Sequence, residues 1–294
     1  MVNRSRIQIA KPDIVAYLNE KGPRVLKHRE IGAILSAERR GWRLTQKTTI
    51  DEFIGFLAKS ADLKEFEFDL PNRPEKLYVW GSVPTLEMLL HLKANSYFSH
   101  YTALRMHGLT EQIPTSIYIS HERAAQSPQA GIDQAAIDEA FKQAARETQN
   151  AVTFGDRRIV LVNSAKTLQL GVVTQIVKYG AAEEATVRLT NVERTLIDAV
   201  VRPIYTGGVF EVAKAFELAK EQVSVNGLSA MLKRLAFTYP YHQAIGYYME
   251  RAGYRSRQLD LLRSFPMAHD FHLTHGMADS VYVKQWRLHV PRGL

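Results

Sequence analysis

From Pro12 to Lys21 the apolar residues Ile14, Val15 and Leu18 recur at helical spacing and Gly22-Pro23 follows, which predicts a helix that stops there. The pattern repeats from Leu26 to Arg40 with Ile31, Ile34 and Leu35, and Gly41 ends it. A third helix is announced by Thr49 with Glu52 three positions on, an N-capping pair, ahead of a buried stripe of Phe53, Ile54 and Leu57. Two alternating runs come next, Glu65 to Leu70 and Lys76 to Trp80, with Pro71-Asn72-Arg73-Pro74 as the turn between them. Three helices followed by a hairpin outline a winged helix-turn-helix.

In such a module the third helix offers its N-terminal turn to the major groove and the hairpin tip meets the backbone. Gln46, Lys47, Thr48 and Thr49 then sit where the positive end of a helix dipole attracts phosphate. Gln46 and Thr48 have the chemistry to read base edges, whereas Arg43 and Lys47 suit phosphates. Arg73 and Lys76 mark the wing.

Farther along, Tyr97 to Gly108 reads as a short helix with Ser99 as cap and Gly108-Leu109 as a left-handed stop. Ile117 to Ser120 is a strand, and an exposed loop is expected around Ser127-Pro128-Gln129. Ile137, Phe141 and Ala144 form an amphipathic stripe, and Val152 to Phe154, Gly155-Asp156 and Ile159 to Val162 read as a hairpin. Thr190 to Val201 is helical, with Thr190 and Glu193 as its capping box. Glu193 and Asp198 are five apart, on different faces of that helix, and make a poor catalytic pair. Helical stripes recur at Val209 to Phe216, Leu228 to Leu235 and Ile245 to Met249. The expected fold class is α+β: a winged helix-turn-helix domain over 1–82 and a larger mixed domain over 83–294.

Composition narrows the function. With 46% hydrophobic and 23% charged residues, the 294-residue chain has the make-up of a globular protein. It has no apolar run of membrane-spanning length and no secretion signal at Met1 to Arg6, so a cytoplasmic protein is expected. Cysteine is absent, which removes disulfides and thiolate chemistry. The net charge of +8 is unevenly spread: 15 Lys/Arg against 11 Asp/Glu up to Ser82, 16 against 16 to Glu250, and 7 against 3 from Arg251 onward. An excess at both ends suits a polyanion such as DNA. Gly-rich phosphate loops, nucleophile elbows and zinc-protease helices are all missing, so neither an enzyme nor a cofactor is expected. His269, His272 and His275 have a metal-like spacing, but the Phe271-x-Leu273 alternation implies a strand that turns His272 away from the other two; no metal is expected.

Three blocks carry a family likeness: Tyr97-Phe98-Ser99-His100-Tyr101-Thr102-Ala103-Leu104 through Pro114, Leu189-Thr190-Asn191-Val192-Glu193-Arg194-Thr195-Leu196-Ile197-Asp198, and Arg202-Pro203-x-Tyr205-x-Gly207-Gly208. With the closing Lys284-Gln285-Trp286-Arg287-Leu288-His289-Val290-Pro291 they resemble the AbiEi antitoxins. The resemblance implies an antitoxin of the type IV kind that represses its own operon at inverted repeats, self-associating there, and counters a nucleotidyltransferase-like toxin, AbiEii. On the residues alone, a protein-interaction module and a regulator without a toxin partner stay open.

Overall fold

The computed structural model describes residues 5–124, 131–179 and 184–294; Ser127, Pro128 and Gln129 of the expected loop lie outside them. The first helix, α1 (Arg6–Glu20), starts ahead of Pro12 and carries that proline inside it. A proline in a helix interior costs about 3 kcal/mol, which is why the pattern suggests a start at Pro12. Burial of Ala10, Ile14 and Leu18 along one face, and the bond from the Ser5 amide to Gln8 Oε1 (2.8 Å), hold the extra turns. Leu26 is not helical: β1 (Val25–Leu26) pairs with β3 (Glu75–Trp80), and α2 runs only His28–Glu38. Next come α3 (Ile50–Ser60) and β2 (Leu63–Phe68), whose antiparallel register with β3 runs from Leu63↔Trp80 to Phe68↔Glu75.

Alternation on β3 gives the small β1-β3-β2 sheet two working faces. Tyr78 and Trp80 pack with the three helices around Ile14, Leu35 and Phe53. Leu77 and Val79 turn the other way, into a second core with Ile119, Leu161 and Val187. Phe68 stacks on Phe154 at 5.0 Å. The hairpin is thus clamped between helices and a larger sheet, with its tip, 71–74, exposed along with Lys64, Glu65, Glu67, Asp69 and Lys76.

The chain continues through α4 (Thr85–Leu89), β4 (Tyr97–Phe98), α5 (His100–Met106), β5 (Ser116–Glu122), α6 (Gln134–Lys142), β6 (Ala151–Phe154), β7 (Arg157–Ser164), β8 (Val172–Lys178) and β9 (Glu184–Thr190). The larger sheet has the order β6-β7-β5-β4-β9-β8, with β5/β7 and β4/β9 parallel and the other pairs antiparallel. Gly108, at φ +69°, ends α5 in the left-handed region, and the Leu109 amide reaches back to the Leu104 carbonyl at 2.8 Å, closing the stop signal.

A helical layer follows: α7 (Val192–Val201), α8 (Val209–Leu218), α9 (Val225–Leu235), α10 (Tyr241–Arg251) and α11 (Ser256–Arg263). Its core also buries Trp286, and a three-stranded sheet of β10 (Phe271–His272), β12 (Leu288–Pro291) and β11 (Ser280–Val283) closes the chain. Gly246 lets α10 approach the indole: a Cβ there would meet Trp286 at 2.1 Å. This order of helices and mixed sheets is an α+β fold.

The cap of α7 differs from the expected one. Asn191 caps it, accepting from the Arg194 amide at 3.0 Å, while Thr190 is fully buried with its hydroxyl 2.7 Å from that of Thr195. Thr190 is the last residue of β9, so its backbone belongs to the sheet, and Glu193 accepts from the Ser224 amide (2.8 Å), tying α7 to α9. Asn191→Ala should therefore cost about 1 kcal/mol, read as a lowered denaturation midpoint; an unchanged midpoint would show that the cap contributes nothing.

Candidate nucleic-acid interface

The segment between α2 and α3, residues 39–49, is fixed from both sides. Trp42 and Leu44 are buried, Trp42 stacking on Phe53 at 5.7 Å and meeting the edge of Tyr17 at 5.5 Å. Arg39 is spent on architecture: its Nη1 donates to the Thr45 carbonyl (2.6 Å) and the Thr48 carbonyl (3.1 Å). With these anchors inward, Arg40, Arg43, Gln46 and Lys47 are exposed, Arg43 with a left-handed φ of +54°.

The capping box of α3 is present: Thr49 Oγ1 accepts from the Glu52 amide (3.2 Å), and the Thr49 amide donates to Glu52 Oε2 (3.0 Å). Thr49 therefore has its hydroxyl engaged. Thr48 is half-buried, its hydroxyl 3.1 Å from that of Thr45, so it stiffens the turn more than it reaches outward. Gln46 is left as the exposed amide of this turn. Two carboxylates share the surface: Glu52 in the cap and Asp51, which lies 3.0 Å from His28 Nε2. They favour the helix dipole and disfavour phosphate.

The β2–β3 hairpin differs from the basic wing expected there. Lys76 Nζ is 2.6 Å from Glu65 and 3.8 Å from Glu67 on the facing strand, so its charge is compensated; these carboxylates raise its pKa. Antiparallel register places the three side chains together, a relation invisible in a tally of charges. Arg73 sits exposed on the tip.

The basic excess near the C-terminus is likewise partly neutralised. Arg263 pairs with Glu250 (3.1 Å) and Asp260 (3.0 Å), and Arg287 with Asp270 (2.8 Å). Of the spaced histidines, His272 Nε2 bonds Asp138 (2.9 Å) and His275 Nδ1 bonds the Ala140 carbonyl (3.1 Å) while its ring stacks on Phe141 at 4.2 Å. No cluster of three or more metal-type side chains occurs among the described residues. Nor is any helix among them long and apolar enough to cross a membrane.

Pattern reading missed Arg39 as the staple of the turn and Arg40 as an outward cation. The Arg39-Arg40 pair at the end of α2 was the available signal.

No protein-family model matches the chain, and no curated protein matches it in sequence. Among solved structures it is similar to the crystal structure of the Rv2827c protein from Mycobacterium tuberculosis, at 14% identity and a TM-score of 0.57, over 96% of this chain and 91% of that one. That likeness is one of fold.

Proposed function

We propose that this protein is a DNA-binding regulator of the type IV antitoxin kind, repressing its own operon and countering a nucleotidyltransferase-like toxin. The observation that carries the reading is the exposed turn ahead of α3, where Arg40, Arg43 and Lys47 stand beside Gln46 at the N-terminus of an 11-residue helix. The three exposed cations suit phosphate, and the Gln46 amide matches the edge of adenine. One such turn contacts too little DNA for strong selectivity, so two copies on an inverted repeat share the task. The sequence blocks that resemble the AbiEi antitoxins supply the second half of the proposal.

Binding to the DNA upstream of the gene, followed by fluorescence anisotropy across a salt series, tests the first half. Log affinity should fall linearly with log salt. Lys47→Ala should weaken operator and random DNA alike and make the slope shallower by about 1, whereas Gln46→Ala should lose about 1–3 kcal/mol on the operator alone. A flat slope, or a Gln46→Ala variant with intact operator preference, sinks the DNA reading. The second half is tested by growth on co-expression with the adjacent toxin frame: rescue is expected, and none would leave a regulator alone.

One observation favours a second reading, a protein-interaction module. Glu65, Glu67 and Asp69 line the hairpin, and Asp51 stands beside the turn, all exposed. A basic protein partner would meet those carboxylates, and binding would then survive substitution of Lys47.

A further inference from the structure

A cleft of about 690 Å³ opens where β5 and β7, a parallel pair, reach their carboxyl ends. Its walls come from those strand ends, the loop 165–168, α7 and the segment after α9. The carboxyl ends of parallel strands are where ligands bind in α/β sheets, and the volume is that of a small-molecule site.

Three features define its chemistry. Lys166, Arg202 and Arg123 line it, are exposed, and have no ion-pair partner among the described residues, whereas Arg194, also on the wall, is engaged by Asp198 at 2.8 Å. A buried polar chain runs beside them: Ser99 Oγ lies 2.8 Å from His100 Nδ1 and 2.7 Å from Ser120 Oγ, with His100 and Ser120 both lining the cleft. The third feature is apolar. Leu168 is 81% exposed on a segment where it and Gln169 are both left-handed (φ +53° and +57°), and the Gln169 amide is held by Glu122 at 2.8 Å. Half-buried Phe237 also lines the cleft.

We propose that this cleft binds a nucleoside phosphate, with the phosphates on Lys166, Arg202 and Arg123 and the base against Leu168 and Phe237. A bare anion would use the cations and leave the apolar surface wet; a neutral apolar ligand would strand three cations. A nucleotide satisfies both, and the neutral His100 and Ser120 offer hydrogen bonds to its hydroxyls.

Isothermal titration of the full chain with ATP, GTP, CTP and UTP, each against tripolyphosphate, tests this. At least one nucleotide should bind saturably and more tightly than tripolyphosphate. Lys166→Ala/Arg202→Ala, both exposed, should weaken it about a hundredfold with an unchanged thermal midpoint. Leu168→Asn, a neutral side chain that tolerates the left-handed φ at this position, should weaken the nucleotide and spare tripolyphosphate. No saturable binding, tripolyphosphate binding as tightly as every nucleotide, or full affinity in the double variant would each overturn the proposal. So would a short single-stranded oligonucleotide that outcompetes every mononucleotide through the same residues, since the cleft would then be part of a polynucleotide track.

Discussion

Asp198→Ala should destabilise the protein by about 4 kcal/mol, the scale of a buried ion pair stripped of one partner. Arg194 Nε donates to Asp198 Oδ1 at 2.8 Å, and the two side chains are only 4% and 12% exposed. The guanidinium also bonds the Leu170 carbonyl (2.7 Å) and Thr167 (3.3 Å), which fixes it beneath the loop ahead of β8. Burial opposes its charge, and the Asp198 carboxylate overcomes that, raising the Arg194 pKa. Without Asp198 the cation keeps its neutral acceptors and loses its counter-charge. Replacing both partners, as Arg194→Met/Asp198→Leu, should cost clearly less than Asp198→Ala alone, because no charge is left stranded. Urea midpoints of the two variants decide this; a double variant as unstable as the single one would show that the loop needs the guanidinium's hydrogen bonds rather than a balanced charge.

That pair also shows what can be read from sequence. Arg194 and Asp198 are four apart on one helix, so their meeting is a local rule. The start of α3 is legible for the same reason: Thr49, Glu52 and the Phe53-Ile54-Leu57 stripe all lie within nine residues. Strand β9 carries a clear alternation in buried Ala185, Val187 and Leu189, whereas its neighbour β8 is an edge strand, mostly exposed, and shows none. Charge is legible only as a sum. Lys76, Arg263 and Arg287 count toward the basic excess, but Glu65, Glu250 and Asp270 sit 11, 13 and 17 residues away in sequence and cancel them in space. The cleft is hidden altogether: His100, Ser120, Lys166, Arg202 and Phe237 belong to separate segments of sheet, loop and helix ends, and only the folded chain brings them together.

Lowering the pH should remove a further share of stability through two histidines. Burial pushes His100 down to about 4, against an opposing Asp198 and with help from Arg202 and Arg194; Tyr118 and Tyr205 are its ring neighbours. Burial also takes His242 to about 4, partly offset by the Pro266 backbone, and its ring stacks on Phe265 at 5.1 Å with Nε2 lacking a partner among the described residues. A histidine whose folded pKa lies below the unfolded 6.5 is more readily protonated in the unfolded chain, so its contribution is intact above 6.5 and is lost as the pH falls toward 4. Each should take about 3 kcal/mol with it over that window. Carboxylates add their own acid loss, so the readout is a difference between proteins. His100→Asn, an amide that tolerates the left-handed φ of +51° at this position, and His242→Phe should each lose about 3 kcal/mol less than the parent between pH 7 and pH 4. A gap between parent and variant that stays constant across the window would mean that the imidazole takes up its proton in the folded chain as readily as in the unfolded one.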